Sequence, residues 1–325
     1  MSDLEFKLKT LTPVWTGGVE MKCDRLHETG IIGSIRWWYE ALVRGLDGYA
    51  CDPLDGCKFN TEGYGKAKKE KKPLEECLET GLQDVCAVCR FFGCTGWSKK
   101  FRFSITDPDG IRNAPLNNDV KFSMIFKETK NFNEEEKWLL IQSLEIITKY
   151  GSIGGKTVFK PSEIPDKNTL DISSRNYKFH HQDFGLIENK GFPHLPEIDR
   201  EMIKQYAKRD GKTNVGEWPD LKYFWFVSGK HIQRNKHNEI VGRDPNNPKE
   251  YKKGVNKATP LQEWLGGDHR NGKSKKIFSF HTHTHSRCWG YADTGQYDDV
   301  INLITGNSTI LMGDITKGED IINGL

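Results

Sequence analysis

Five segments in the first 150 residues switch between two hydrophobic periods, and their order restricts the fold more than any other feature of the chain. Phe6-Lys7-Leu8-Lys9-Thr10-Leu11 alternates apolar and polar residues, the period of a half-buried strand. Ile35, Trp38 and Leu42 recur at helical spacing, in a helix expected to begin near Ser34, which can cap it, and to end at Gly45 and Gly48. The runs Phe101–Ile105 and Lys121–Phe126 return to the period of two, with Asp107-Pro108-Asp109-Gly110 as a turn between them. A second helix follows. Asn133 caps it, Glu134, Glu135 and Glu136 suit the positive end of its dipole, Leu140, Leu144 and Ile147 form its apolar stripe, and Gly151 stops it. One more strand, expected near Phe179 to Leu186, completes a ferredoxin-like β-α-β-β-α-β unit.

A stretch rich in Gly, Pro and charge, 188–217, marks a boundary, and a weaker second pass follows it. Lys222–Val227 reads as a buried strand, Leu261–Leu265 as a short helix stopped by Gly266-Gly267, and Ile277 to Trp289 as one long alternating strand. Asp298 to Ile304 is a short helix before Thr309-Ile310-Leu311-Met312. The expected architecture is α+β: two tandem ferredoxin-like domains, 1–190 and 191–325, with glycine-rich loops. A Cys-containing insertion occupies about 47–97. It reads as irregular and exposed, with seven Gly, six of the eight Cys and the charged run Lys66–Lys72.

Hydrophobic content is 36% and mean hydropathy −0.67, yet 17 Phe, 9 Trp and 10 Tyr supply material for cores. Such a balance fits a folded protein with much polar loop surface. Met1–Glu5 has no basic stretch leading into an apolar run, and no segment approaches the length of a membrane span, so a cytoplasmic location is expected. Eight Cys in that setting serve metals or packing rather than disulfides. The net charge of +3 says little, but Lys208 to Lys276 holds 16 basic against 8 acidic residues, interleaved with aromatics. That pattern fits either solvated loops or a surface facing a polyanion.

Gly155-Lys156-Thr157 ends like a phosphate-binding P-loop, but the Gly required five residues earlier is Tyr150, and the preceding element is a helix, so nucleotide hydrolysis is excluded. What remains is a glycine-rich turn whose backbone donors at Gly154 and Gly155, with Lys156, can hold a backbone phosphate. Phe91–Arg102 offers a similar set: glycines for close approach, Trp97 as a stacking face, and Lys99, Lys100 and Arg102 for phosphates. Arg36 and Trp37 point away from the Ile35/Trp38/Leu42 stripe and present a cation and an aromatic near a helix start. The alternative for Arg36 is an i,i+4 pair with Glu40, with Trp37 packed under a loop.

Cys86-Ala87-Val88-Cys89 has zinc-knuckle spacing, and Cys51 and Cys57 add two thiols upstream, so a structural zinc could order the polar insertion. Cys77 and Cys94 are rival ligands. His281, His283 and His285 would share one face of a strand, which reads better as a polar exposed face than as a chelate. Hydrolase and kinase signatures are absent, and His27, in the loop before the first helix, is the one residue placed to act as a general base on RNA.

Taken together, Leu11-Thr12-Pro13-Val14-Trp15-Thr16-Gly17-Gly18, then Gly30–Leu42 with its Arg36-Trp37-Trp38 core, then Phe92-Gly93-Cys94-Thr95-Gly96-Trp97, resemble the RAMP superfamily. Within it they are similar to the family of first-numbered subunits of the type III-B CRISPR effector, the Cmr complex. The motifs cover the first third of the chain, and the Gly151–Lys156 turn extends the match to about half. The resemblance implies two ferredoxin-like (RRM-like) domains and a non-catalytic subunit in RNA-guided antiviral defence. Its implied partners are the 3′ region of a CRISPR RNA, a target RNA and other RAMP subunits. The implied RNA-facing positions are Trp15, Thr16, Gly17, Gly18, Arg36, the Gly96–Arg102 segment, Gly154, Gly155 and Lys156. The superfamily also contains endoribonucleases that process CRISPR transcripts, which gives the alternative a clear form: His27 as general base.

Overall fold

Burial alternates along β1 (Leu4–Thr10), with Leu4, Phe6, Leu8 and Thr10 inward, which commits one face of the first sheet to a core. The computed structural model describes residues 3–17, 23, 25–52, 55–106, 118–155, 157, 184–214, 218–248, 250–268, 271–282 and 284–325. After β1 come α1 (Glu28–Gly45), then α2 (Thr61–Lys69), α3 (Leu74–Leu82) and α4 (Ala87–Phe92), then β2 (Phe101–Thr106), β3 (Lys121–Glu128), α5 (Glu134–Lys149) and β4 (Ile187–Gly191). The strands form an antiparallel sheet in the order β2-β3-β1-β4, with Phe6 opposite Met124 and Phe103 opposite Phe126. That is the ferredoxin-like order, with the first strand at the centre. The connecting α6 (Arg200–Ala207) docks Ile203 and Ala207 in the core below it.

The second half repeats the scheme with β5 (Phe224–Ser228), α7 (Arg234–Ile240), α8 (Pro260–Gly266), β6 (Ile277–His281), β7 (Ser286–Tyr291), α9 (Tyr297–Asn307), β8 (Thr316–Lys317) and α10 (Gly318–Asn323). Its sheet runs β6-β7-β5-β8, the same order, all antiparallel. The chain is thus α+β with two ferredoxin-like sheets in tandem.

Several expectations need correction. α1 starts at Glu28, with His27 before it, so Ser34 lies one and a half turns inside the helix rather than at its cap. Gly30 is tolerated there because Thr16 packs on it: a Cβ at position 30 would meet Thr16 at 3.3 Å. The insertion is largely helical: α2 and α3 pack against each other, and α4 is capped by Cys86 and carries Cys89. The sheet-closing strand begins at Ile187, just after the expected span, whose residues 179–183 lie outside the described residues, as does the turn at 107–110. Ile277 to Trp289 is not one strand but the hairpin β6–β7. The α5 start is as expected: Asn133 and Glu136 form a reciprocal capping box.

The two halves share a core. Trp38 of α1 lies 4.9 Å from Trp289 and 5.6 Å from Phe224 by ring centroids, and Phe224 and Phe226 belong to the same buried cluster as Phe6 and Leu8. Arg287 of β7 reaches across to the end of α5, donating to Gly151 O at 2.9 Å and Thr148 O at 3.0 Å.

Candidate nucleic-acid interface and metal site

Two of the three glycine-centred segments meet. The loop after β1 and the turn after α5 are joined by an antiparallel bridge in which Gly155 N–H donates to Trp15 O at 2.8 Å. Gly154 has φ +87°, and a Cβ there would sit 2.8 Å from Trp15 O; one at Gly155 would meet the Trp15 ring at 2.8 Å. Neither position accepts a side chain without displacing the bridge. Gly154 N–H also donates to Ser34 Oγ at 3.2 Å, tying the turn to α1. Thr16 completes the frame: its hydroxyl accepts from His27 N–H at 2.7 Å.

These ties enclose a cleft of about 290 Å³ between the halves. Gly17, Gly30, Ser34 and the Gly154–Gly155 turn form its rim, and Trp37, Phe278 and Trp289 its aromatic wall. Phe278 and Trp289 are stacked with centroids 3.8 Å apart. Glycine backbone beside a flat aromatic surface is suited to a phosphate and an unpaired base. The wall residues Phe278 and Trp289 escaped sequence analysis, because nothing in their local pattern says that β6 and β7 face α1. Gly18 and Lys156 lie outside the described residues.

Other expected contacts are arranged differently. Trp15 is buried under the bridge rather than offered to solvent. Arg36 turns inward: it pairs with Glu40 at 2.9 Å and reaches Gly93 O and Cys89 Sγ, each at 3.4 Å. Burial works against its charge, but the Glu40 bond and the neighbouring thiols leave the guanidinium above its ordinary range. Trp37 faces the second half, 5.8 Å from Phe224 and 5.9 Å from Tyr291.

The segment from Gly96 to Arg102 packs on the insertion. Trp97 stacks on Phe59 at 5.7 Å, holds Lys130 at 4.2 Å on its ring, and donates its indole N–H to Arg90 O, so its faces are occupied. Lys100 is paired with the fully buried Glu136 at 2.9 Å. Lys99 and Arg102 remain exposed. Of the histidines, His281 ends β6 while His285 lies across the hairpin, so they do not share a strand face, and His283 is outside the described residues. His27 serves as the backbone residue preceding α1.

Cys51, Cys57, Cys86 and Cys89 converge, their sulfurs all within 4.8 Å of one another. Cys51 and Cys89 are 3.5 Å apart, Cys51 and Cys86 3.8 Å. A zinc ion with bonds of about 2.3 Å in a tetrahedron needs sulfur–sulfur edges of about 3.8 Å. Backbone N–H groups point at the sulfurs as well, Cys89 N to Cys86 Sγ at 3.4 Å and Cys86 N to Cys57 Sγ at 3.3 Å. The four thiols are therefore placed to hold a metal ion. Cys77, bonded to Lys72 O, and Cys94 are not in the group.

Comparison with known proteins gives one family: the model described as RAMP superfamily matches residues 7–282. No curated protein matches the sequence. Among solved structures, Cmr1 from Pyrococcus furiosus in its apo form is similar at 12% identity and a TM-score of 0.46, over 98% of this chain and 99% of that one. A chain of the type III-B Cmr-beta complex bound to cognate target RNA aligns at 10% identity and a TM-score of 0.40, over 94% and 99%. The same assembly with target RNA, AMPPnP and single-stranded DNA gives 11% and 0.40, over 93% and 98%. Among the described residues no helix is long and apolar enough to cross a membrane.

Proposed function

The chain belongs to the RAMP superfamily, and on that premise we propose that it is a non-catalytic RNA-binding subunit of a type III-B CRISPR effector, engaging guide or target RNA alongside other RAMP subunits. The observation that carries this is the Trp15–Gly155 bridge, which assembles two glycine-rich segments and the start of α1 into one cleft. In this proposal the side-chain-free edge at Gly17, Gly154 and Gly155 lets a phosphodiester approach closely, and an unpaired base lies on the half-buried Trp37. Lys99 and Arg102 are exposed cations that add electrostatic attraction. Residues 1–190 and 191–325 are the two repeats in this division.

The cysteine group is a structural zinc centre in the same proposal, with Cys51, Cys57, Cys86 and Cys89 as thiolate ligands. Arg36, bonded to Cys89 Sγ, offsets part of their negative charge. Its contribution is to order α2, α3 and α4, not to react.

The test is equilibrium binding of a labelled single-stranded RNA to the full chain over a range of salt. Affinity should fall steeply with salt and depend weakly on base sequence, and the RNA should be recovered intact. His27→Ala should bind as the unaltered chain does. Absence of binding at low salt removes the proposal. Cleavage that disappears in His27→Ala would establish the endoribonuclease instead.

A further inference from the structure

Trp37 lines two clefts, not one. Beyond the glycine-rimmed site it also borders a larger cavity of about 900 Å³. The aromatic lining there is dense: Trp37, Trp218, Tyr251, Trp264 and Tyr291. Volumes of about 300–1,000 Å³ with aromatic walls and a few polar groups are characteristic of small-ligand sites.

The walls are fixed rather than loose. Trp264 and Tyr291 pack edge to face with centroids 6.1 Å apart, and Tyr291 lies 5.9 Å from Trp37. The Tyr251 hydroxyl donates to Gly267 O at 2.6 Å, while Arg243 covers its ring at 3.9 Å. Lys276 is held 4.8 Å from the Trp264 ring centroid, with its ammonium donating to Ser274 O at 2.7 Å. Lys273 stands exposed at the cavity mouth. Two carboxylates, Glu263 and Asp268, also line it.

Each group has a partner in one kind of ligand. Flat aromatic faces take bases, and Lys273 takes a phosphate. Carboxylates accept from the exocyclic amino groups of cytosine and adenine, which uracil lacks. A purely cationic groove would attract any polyanion, whereas acids among aromatics favour bases that carry amino groups. The stretch from Lys208 to Lys276, which supplies most of this lining, holds 16 basic and 8 acidic residues, so it is net basic although the cavity itself is mixed.

We propose that this cavity is a second nucleotide-binding site, which receives nucleotides of the same single-stranded RNA that occupies the glycine-rimmed cleft, with Trp37 as the shared partition. The proposal rests on the RNA-binding function set out above and extends it into the second half of the chain.

The test uses the full chain with labelled oligoadenylate long enough to pass Trp37. Trp218→Ala should weaken it about tenfold, the loss expected for one base–aromatic stack. Lys273→Glu should weaken the long RNA and lower its salt slope by about one. Trp218→Phe should restore binding, which separates stacking from folding. Oligouridylate should bind more weakly than oligoadenylate or oligocytidylate. Independently of any variant, RNA carrying 8-azidoadenosine should photo-cross-link to Trp218, Tyr251 or Trp264. Long-RNA binding that survives Trp218→Ala and Lys273→Glu but is lost in Gly155→Val overturns the second site and spares the first. The absence of cross-links to all three aromatics also overturns it. Absence of all RNA binding removes both.

Discussion

Arg287 is the residue through which the second half holds the end of α5, and replacing it should cost the fold measurably. Its guanidinium donates to Gly151 O at 2.9 Å and Thr148 O at 3.0 Å, with a marginal third contact to Ile147 O at 3.5 Å. All three carbonyls lie at or just beyond the negative end of the helix dipole. Burial pushes the group down to about 10, still far enough above neutrality to keep it charged. Arg287→Met preserves the apolar stem and removes both good bonds. Hydrogen bonds from a charged donor are worth roughly 1.5–3 kcal/mol each. Release from desolvation returns part of the two, and the carbonyls left behind add to the loss. A net destabilisation of about 2 kcal/mol follows, close to thirtyfold in the folding equilibrium. Urea unfolding followed by tryptophan fluorescence measures it. Arg287→Lys should fall between, since an ammonium can reach one carbonyl but lacks the fork that spans two. A methionine variant within about 0.5 kcal/mol of the unaltered chain would refute the role.

Three further outcomes are expected. Gly155→Val places a Cβ 2.8 Å from the Trp15 ring, so it should lower stability by about 1–3 kcal/mol and reduce RNA affinity in an anisotropy titration. The isolated chain should carry one zinc by elemental analysis. Cys89→Ser should lose it, and chelation should lower the melting temperature of the unaltered chain but not of the variant. His231 stacks on His281 at 3.9 Å, and burial, followed by repulsion from that ring, lowers its pKa. The folded state then binds fewer protons than the unfolded chain, so stability falls as pH drops through the ordinary histidine range of about 6.5. His231→Gln should flatten the urea midpoint between about pH 7 and pH 5.

Elements whose signals are local were legible in the sequence. α5 announces itself through the Asn133–Glu136 box, and β1, β2 and β3 through alternation. What failed was set by distant neighbours. Gly30 and Gly33 look like loop residues, yet α1 runs through them because Thr16 needs the space at Gly30. The β6–β7 turn carries Thr and His in continued alternation, without Gly or Pro to punctuate it, so one strand was expected where two occur. The insertion is too polar to advertise helices: α2 buries only Ala67, and Cys86, legible as a metal-type spacing, also caps α4. The candidate site divides in the same way. Its glycines were visible, because only a close approach explains them, and so was the Arg36–Glu40 pair at i,i+4, whereas Gly93, Phe59 and Glu136, the other partners of Arg36, Trp97 and Lys100, lie 36 to 57 residues away along the chain.

The aromatic seam between the sheets has an implication for how such a duplicated chain can change over time. Trp38 nests among Phe224, Phe226 and Trp289, and one apolar cluster joins the first repeat to one face of the second sheet, whose other face packs a separate core around Trp225, Leu265 and Ile304. A module joined to its twin in this way cannot be exchanged or lost on its own, because either half alone would show water a wall of rings. Divergence is thereby channelled outward, into the insertion and the loops, while the paired repeats must drift in concert.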